Sequence, residues 1–270
     1  MHVKLVLEES ANAAISWFNQ NSMKVNPSKF QGIIFKPNQR NDDISEFRLS
    51  DGTLITPSNN VKLLGMSLDN KLTFSIHIKN LLCKCTRQLN VISRLSKYLS
   101  SECKMKIFNA FTMSNMNYCS TIYHFCSISD AKKLERIQKR FLRYVLDDFS
   151  SSYDDLLLAS GKDTLHAARI RTIVEYVYKI KNNLLPPMEP SFFVSHGNSY
   201  ALRHHNTLVQ PRYNYKKFGY QSLRYQGAKL WNEIPNVLRT IENPAEFKSA
   251  VIDAIVKRDC NSCIACTLHI

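Results

Sequence analysis

The chain has 270 residues, of which 44% are hydrophobic, enough to bury one substantial core or two small ones. This composition excludes intrinsic disorder as the ordinary state of the whole chain. Thirty-six lysines and arginines outnumber 22 acidic residues, and the formal net charge is +14. Because a surplus of this size attracts polyanions through the summed field of the protein, nucleic acid is the leading class of partner.

Cysteine usage and hydropathy favour a reducing, intracellular compartment, either the nucleus or the cytoplasm. The eight cysteines are not accompanied by a secretory signal in the opening residues, so most thiols are expected to be free. The longest uncharged stretch, residues 107–129, contains Asn109, Asn115 and Asn117, which would be costly in hydrocarbon. We therefore expect a buried helix there and no membrane partner.

The first third of the chain predicts one helix followed by short strands. Helix-favouring residues precede Asn26-Pro27, where the proline should end any helix. Apolar runs at 32–35, 44–50, 53–56 and 61–68 favour strands, with Asp51-Gly52 as a hairpin turn. These patterns predict a small antiparallel sheet beside a helix.

From Phe74 onward the apolar residues recur at helical spacing, over about seven turns as far as Leu99. Further helices are expected at 101–125, 130–146, 152–159 and 166–182, and then near 218–232 and 244–257. A proline cluster, Pro186, Pro187 and Pro190, marks the expected boundary between them. The predicted fold class is α+β, with domains at 1–73, 74–184 and 185–270, the last two mainly helical.

Positive charge is concentrated between Ile76 and Leu146, where thirteen lysines and arginines meet only three acidic residues. In the predicted helix at 130–146 the apolar residues share one face and the cations lie along the other. The cations are Lys132, Arg136, Lys139, Arg140 and Arg143. Such a stripe suits a phosphate backbone, although a solvated surface helix would show the same pattern.

A second basic tract runs from Arg203 to Lys229, where six cations meet no acidic residue and alternate with aromatic side chains. Two of these cations, Arg224 and Lys229, lie in the helix predicted near 218–232 and are candidate nucleic-acid-binding residues. Rings can stack on unpaired bases while cations follow the phosphates, which is typical of single-strand binding. The alternative is that the rings only pack the core of that module.

Several motifs in this order resemble the later part of reverse transcriptases from non-LTR retrotransposons, particularly the jockey-like group. The matching residues are Trp17, Asn26 to Lys29, Lys62-Leu63-Leu64-Gly65, Leu68-Asp69, His77-Ile78, Leu134, Ile137-Gln138-Lys139, Leu142-Arg143, Leu165, Arg169 and Arg171. The most specific match is the string Tyr225-Gln226-Gly227-Ala228-Lys229-Leu230-Trp231-Asn232, followed by Ile234-Pro235. Phe30 and Leu63 depart from the family's pattern, where a small hydroxyl residue and an aromatic residue are common.

The resemblance implies that residues 1–73 are the end of a palm domain, that 74–184 hold a helical thumb with the helices after it, and that 185–270 are a C-terminal basic and aromatic module. In that family the segment matching Lys62 to Gly65 is a primer grip, and Leu64 and Gly65 lie within it. The lysine matching Lys29 lies near the nucleotide phosphates. The expected partners are RNA, DNA or an RNA–DNA duplex, while the oligomeric state stays open.

The resemblance also implies which residues are lacking. Polymerisation needs carboxylates that hold two metal ions, and in this family they lie in an aromatic-Ala-Asp-Asp motif and an earlier aspartate. We expect both to precede residue 1. The full enzyme would then use magnesium, whereas this chain alone is expected to bind no cofactor. Asp147-Asp148 follows a predicted helix rather than a strand, and Asp154-Asp155 fits a helix start.

The tail holds four possible zinc ligands within ten residues: Cys260, Cys263, Cys266 and His269. Ordinary zinc sites pair two separated half-motifs, whereas this run would have to wrap the ion alone. A metal site and a free, oxidisable tail both remain open. Three readings of the whole chain follow: a truncated reverse transcriptase that binds template and primer, a non-catalytic RNA- or DNA-binding protein derived from such an element, or a functionless relic.

Overall fold

A computed structural model describes residues 2–35, 46–186, 192–195 and 206–256. The chain divides into two compact units, residues 1–76 and 77–270. In the described ranges the secondary structure is mainly helical, with two small antiparallel sheets. The predicted α+β class is therefore confirmed.

The first unit begins with a long helix, α1 (His2–Gln20), and a short 3-10 turn at Pro27–Lys29. Two hairpins follow, β1 (Phe47–Arg48) with β2 (Leu54–Ile55), and β3 (Asn60–Leu63) with β4 (Met66–Asp69). Phe47 pairs with Ile55, and Val61 pairs with Leu68. The predicted reversal at Asp51-Gly52 joins β1 to β2 and is confirmed.

Side chains on one face of α1 hold the first hairpin. The carboxylate of Glu8 accepts a hydrogen bond from the Arg48 amide at 2.7 Å, and Asn12 Oδ1 accepts one from the Ser50 amide at 2.8 Å. Glu8 and Asn12 are four residues apart and therefore lie above one another on the helix. The buried apolar residues of this unit are Ile15, Phe47, Leu49, Met66 and Phe74.

Two strand predictions need correction. Residues 61–68 form a hairpin rather than one strand, because the chain reverses at Leu64-Gly65, whose φ values are 46° and 86°. Positive φ at both central residues is what a tight hairpin turn requires. Residues 32–35 form no strand, and only Gly32 makes an isolated parallel bridge, to Pro57.

The second unit contains the remaining helices of the described ranges. They are α2 (Ser75–Leu95), α3 (Ser101–Ile107), α4 (Ser114–Asn117), α5 (Ser120–Tyr123), α6 (Ile128–Leu146), α7 (Tyr153–Ser160), α8 (Leu165–Lys181), α9 (Leu223–Glu233), α10 (Asn236–Arg239) and α11 (Pro244–Val256). A 3-10 turn covers Ser96–Tyr98, and π-helical turns cover Phe108–Met113 and Lys216–Tyr220. α2 begins within the first unit and runs on into the second.

The helix predicted at 101–125 is broken at Tyr118-Cys119. Tyr118 has an extended backbone, and Cys119 adopts a left-handed conformation with φ of 52°. The hydroxyl of Tyr123, which is fully buried, donates a hydrogen bond back to the carbonyl of Met116 at the end of α4. This bond satisfies a carbonyl that the helix break leaves without a helical partner.

Helices on either side of the proline cluster share one hydrophobic core. Ile173 and Val177 from α8 pack with Trp231 from α9 and Phe247 from α11. Gly227 allows the close approach, because a Cβ there would lie 3.0 Å from Val177 and 2.9 Å from the ring of Phe193. The predicted division at 184/185 between a thumb and a C-terminal module stays a prediction.

Candidate nucleic-acid interface

The helix α6 has clear start and stop signals. Ser127 caps its N-terminus by accepting a hydrogen bond from the Asp130 amide at 3.1 Å, and Asp130 in the first turn complements the helix dipole. The helix ends at Asp147, which has a left-handed φ of 53°. The prediction of a helix at 130–146 is confirmed, with two additional residues at the N-terminus.

Five cations lie along the side of α6 opposite its buried residues, and we call them the α6 stripe: Lys132, Arg136, Lys139, Arg140 and Arg143. Arg136 and Arg140 are exposed, the other three are half-buried, and the Nε atom of Arg143 is buried. At about 100° per residue, four of them fall within roughly 60° of one another, and Arg140 lies beside this row. The row is about 16 Å long at 1.5 Å per residue. Within the described part of the chain, none of the five forms an ion pair.

Unlike the five cations of the stripe, the neighbouring Lys133 forms an ion pair with another described residue. Its ammonium lies 2.8 Å from the carboxylate of Asp130 one turn earlier on α6. Lys133 is therefore neutralised by its own helix. The α6 stripe has no such acidic partner among the residues that the structure describes, so its charge stays available to an external anion.

The opposite face of α6 is held firmly by its neighbours. Leu134, Phe141 and Val145 are buried, and the ring of Phe141 stacks on that of Phe108 with centroids 5.1 Å apart. Because the helix is fixed along its length, the backbone positions of the stripe residues are set before any ligand arrives. Preorganised groups lose less conformational entropy on binding than mobile ones do.

Glu135 fixes α6 to the two helices that follow it. Its buried carboxylate accepts hydrogen bonds from the Tyr153 hydroxyl at 2.7 Å and from the backbone amides of Leu165 and His166 at 3.1 and 2.9 Å. The two amides belong to the first turn of α8, where a negative charge is favourable. Burial and the Glu135 charge both raise the pKa of Tyr153.

A second row of cations on α2 was missed as a candidate site. Lys79, Arg87 and Arg94 are exposed and fall within about 80° of one another around the helix. They form no ion pair in the described ranges. The available signal was the complete lack of aspartate and glutamate in α2.

The candidate residues of the first unit lie on two segments that a side-chain hydrogen bond joins. Lys29 is exposed at the end of its 3-10 turn, and Lys62 is exposed on β3. The amide of Lys62 donates a hydrogen bond to Gln31 Oε1 at 3.2 Å, which ties β3 to the segment just after Lys29. Leu64 and Gly65 form the tip of the same hairpin.

Leu64 is unusual for a hairpin tip. It is 83% exposed and has a φ of 46°. A left-handed conformation costs a leucine about 1 kcal/mol, and an exposed side chain regains little of that by burial.

Arg224 and Lys229 lie on α9 beside a group of tyrosines. The rings of Tyr213, Tyr220 and Tyr225 contact one another, with centroids 5.0 to 5.4 Å apart. Lys229 Nζ lies 6.0 Å from the centre of the Tyr220 ring and 3.9 Å from Glu233. Arg224 is exposed on the first turn of α9. Arg203, the first cation of the tract, lies outside the described residues.

The first pair of adjacent aspartates has a structural role. Asp147 holds Lys104 of α3, whose Nζ donates to both carboxylate oxygens at 2.7 and 2.6 Å. Hydrogen bonds from Ser151 and Ser150 lower the pKa of Asp148 to about 2. As predicted, the pair follows a helix and not a strand.

The second pair, Asp154 and Asp155, lies in the first turn of α7, as expected for charge at a helix start. Ser152 caps this helix, and its hydroxyl donates to Asp155 at 2.7 Å. Among the described residues no cluster of three or more histidines, cysteines or acidic residues could hold a metal ion.

Two further expectations concern metal at the tail and the membrane. Cys260, Cys263, Cys266 and His269 lie outside the described residues, so zinc at the tail stays a prediction. The cysteines in the described ranges are all free thiols. No helix in those ranges has both the length and the apolar character needed to cross a bilayer.

Comparison with known proteins gives one informative similarity. No protein-family model and no solved structure matches the chain. Over 143 residues the chain is 29% identical to the RNA-directed DNA polymerase from the mobile element jockey of Drosophila melanogaster. The aligned region covers 52% of this chain and 15% of the length of that polymerase. About half of this chain is therefore similar to a part of a non-LTR retrotransposon reverse transcriptase.

Proposed function

We propose that this chain is a template–primer-binding part of a non-LTR retrotransposon reverse transcriptase, and that it does not supply the carboxylates of polymerisation. The α6 stripe carries this proposal. Five cations on one face of a fixed helix, without acidic partners in the described ranges, form a linear array that suits a phosphate backbone. The similarity to the jockey polymerase supports the same class of ligand.

The dimensions of the stripe suit a duplex. Its length of about 16 Å corresponds to a stretch of duplex that presents roughly ten phosphate charges. Lysine and arginine contacts to phosphates give affinity without reading the base sequence. We therefore expect the chain to bind RNA–DNA, RNA and DNA duplexes with little sequence preference, and to bind them through counterion release.

The β3–β4 hairpin contributes a second part of the proposal. Lys62 lies on β3, the exposed Leu64 and Gly65 form the tip, and a hydrogen bond ties β3 to Gln31, two residues after Lys29. In the family that the chain resembles, the matching segment supports the 3′ end of the primer. We assign the same role to this hairpin.

One aspartate of each adjacent pair makes a structural contact within the fold. Asp147 forms an ion pair with Lys104, and Asp155 takes part in the cap of α7. Two-metal polymerisation needs carboxylates that place two ions a few ångströms apart. Because these side chains are bound within the fold, we expect no primer extension by this chain alone.

The test is fluorescence anisotropy of a labelled RNA–DNA primer–template duplex, titrated with the chain at several salt concentrations, with an extension assay in the same samples. If each of the five cations neutralises one phosphate, log K falls with log salt at a slope of about −4.5, or roughly 500-fold between 50 and 200 mM. A steep slope without extension supports the proposal. A lack of binding at low salt, or primer extension, would contradict it.

A further inference from the structure

The surface around Tyr213 and Tyr215 combines exposed rings with a local excess of positive charge. Tyr213 is 47% exposed and Tyr215 is 40% exposed. Between Asn206 and Asn232 the chain carries five cations and no acidic residue. The cations are Arg212, Lys216, Lys217, Arg224 and Lys229, and Lys229 is paired with Glu233 just beyond this range at 3.9 Å. We call this surface the tyrosine platform.

Close packing and backbone hydrogen bonds hold the tyrosine platform in place. A Cβ at Gly219 would lie 2.5 Å from the Cβ of Tyr213, so only glycine lets the π-helical turn pack against that tyrosine. The amide of Gly219 donates to the Tyr215 carbonyl at 2.9 Å. Gln226 on α9 donates to the Tyr220 carbonyl at 3.0 Å. The backbone is thus fixed at both ends of the turn.

The ring contacts leave area exposed where a flat ligand could bind. Tyr213 meets Tyr225 edge to face, with an interplanar angle of 83° and centroids 5.1 Å apart. Tyr220 and Tyr225 support Tyr213 from within the platform, and both are less exposed than it is. Tyrosines that serve only as core would bury their rings, as Tyr123 and Tyr178 do in the same unit.

The platform is linked to α6 by a direct contact. Lys217 Nζ donates to the Phe125 carbonyl at 2.9 Å, two residues before the Ser127 cap of α6. Both surfaces belong to the second unit. A nucleic acid that occupies one surface therefore has a second cationic surface near the start of the same helix.

We propose that the tyrosine platform binds an unpaired nucleic-acid strand, with bases stacked on Tyr213 and Tyr215 and phosphates held by Arg212 and Lys216. Rings tolerate every base because every base has a flat face, and cations follow the backbone. The ligand class is a single strand of RNA or DNA. This goes beyond duplex binding by the α6 stripe and does not depend on it.

The experiment compares two labelled twelve-residue strands of equal charge, oligouridine and an abasic strand, in titrations of the full chain. The abasic strand retains the phosphates but offers no base to stack. The ratio of the two affinities therefore isolates stacking from charge. We expect oligouridine to bind roughly 5- to 150-fold more tightly than the abasic strand, the range for one stacked base.

The variants Tyr213→Ala and Tyr215→Ala should each reduce this ratio, and Tyr213→Phe should preserve it because phenylalanine retains the flat ring. Thermal melting shows whether each variant folds. Lys216→Gln is the charge control, and it should lower the salt slope by about 0.7 for both strands while leaving the ratio unchanged. A titration with oligothymidine, compared with oligouridine, shows whether the chain prefers DNA or RNA.

An affinity ratio near one in the parent chain would overturn the inference, and so would a ratio that both alanine variants leave unchanged. Duplex binding by the same samples separates the two proposals. Intact duplex binding with a ratio near one would refute only the platform. A high ratio without duplex binding would refute only the α6 stripe.

Discussion

The ion pair between Lys104 and Asp147 offers a direct test of the structural role given to the first aspartate pair. The Lys104 side chain is 1% exposed, and its ammonium donates to both oxygens of the Asp147 carboxylate. That carboxylate is 59% exposed and stands at the end of α6. The pair thus joins α3 to the C-terminus of α6 and neutralises a buried charge.

We predict that Asp147→Asn destabilises the chain by about 1–2 kcal/mol. Removal of one partner of a fully buried pair costs about 3–5 kcal/mol, because the other charge is left buried and unpaired. Here the carboxylate side is open to water, and the asparagine amide keeps an oxygen acceptor, so the expected cost is smaller. Asp147→Ala should cost about 1 kcal/mol more, since alanine does not favour the left-handed conformation that asparagine tolerates.

The control is Lys104→Met, which replaces the buried ammonium with an apolar chain of similar length. The carboxylate that this replacement leaves unpaired is open to water, so in the Lys104→Met background Asp147→Asn should cost almost nothing. Urea unfolding of the four chains gives the coupling free energy by a double-mutant cycle. If Asp147→Asn leaves the unfolding free energy within about 0.3 kcal/mol of the parent, or costs the same in both backgrounds, the reasoning is wrong.

The pH dependence of this pair has a defined sign. The hydrogen bond from Lys104 lowers the pKa of Asp147 below its ordinary value. A carboxyl with a lowered pKa in the folded state stabilises the fold fully above its unfolded pKa of about 3.9. That stabilisation is lost as the pH falls through the folded-state pKa. The loss should be missing from the Asp147→Asn variant.

Three further predictions concern single side chains. Tyr153→Phe removes the hydroxyl bound to the buried Glu135 carboxylate and should lower the unfolding free energy by about 1.5–3 kcal/mol in urea; an unchanged midpoint would contradict this. Leu64→Asn relieves the left-handed leucine and should slow amide exchange in β3 and β4 roughly two- to fivefold, whereas faster exchange would oppose it. Burial raises the pKa of Asp69, but hydrogen bonds from Thr73, Phe74 and Lys71 outweigh it and leave the pKa lowered. Asp69→Asn should therefore speed exchange of the Phe74 amide near neutral pH, and this effect should fade as the pH falls through the lowered folded-state pKa of Asp69. A pH-independent effect would refute it.

Amphipathic helices were the most predictable elements. In α6 the apolar period, the cap at Ser127 and the charged opposite face all indicate the same structure, and the observed helix begins two residues before the predicted one. α8 was likewise placed within one residue at each end. Where local signals agree with the fold, sequence reasoning finds the element.

Breaks without glycine or proline could not be predicted. Cys119 interrupts a long helical pattern, and the Tyr123 hydroxyl satisfies the Met116 carbonyl that the break leaves without a helical partner, which the helical pattern does not reveal. Leu64 in a left-handed turn is equally hidden, since leucine rarely adopts that conformation. Residues 61–68 therefore resembled one strand, although Gly65 offered part of the signal.

The positive charge of the candidate site could be predicted from the sequence, but which cations form ion pairs could not. The sequence locates the five cations of the α6 stripe, yet only the structure distinguishes them from Lys133, which forms an ion pair with Asp130. Lys104 and Arg169 counted toward the same positive surplus, but both are buried. Burial and pairing depend on packing between distant segments, and composition does not report them.

The most direct test of the central claim compares neutralised cations in duplex-binding titrations at several salt concentrations. One variant carries Arg136→Gln, Lys139→Gln and Arg140→Gln, and its matched control neutralises Lys106, Lys133 and Arg171, each of which already has an acidic partner. If the α6 stripe binds the phosphates, the first variant lowers the magnitude of the salt slope by about 2.7 and the control leaves it nearly unchanged. Equal slopes in the parent and the stripe variant, with both folded, would show that the stripe is only a solvated surface.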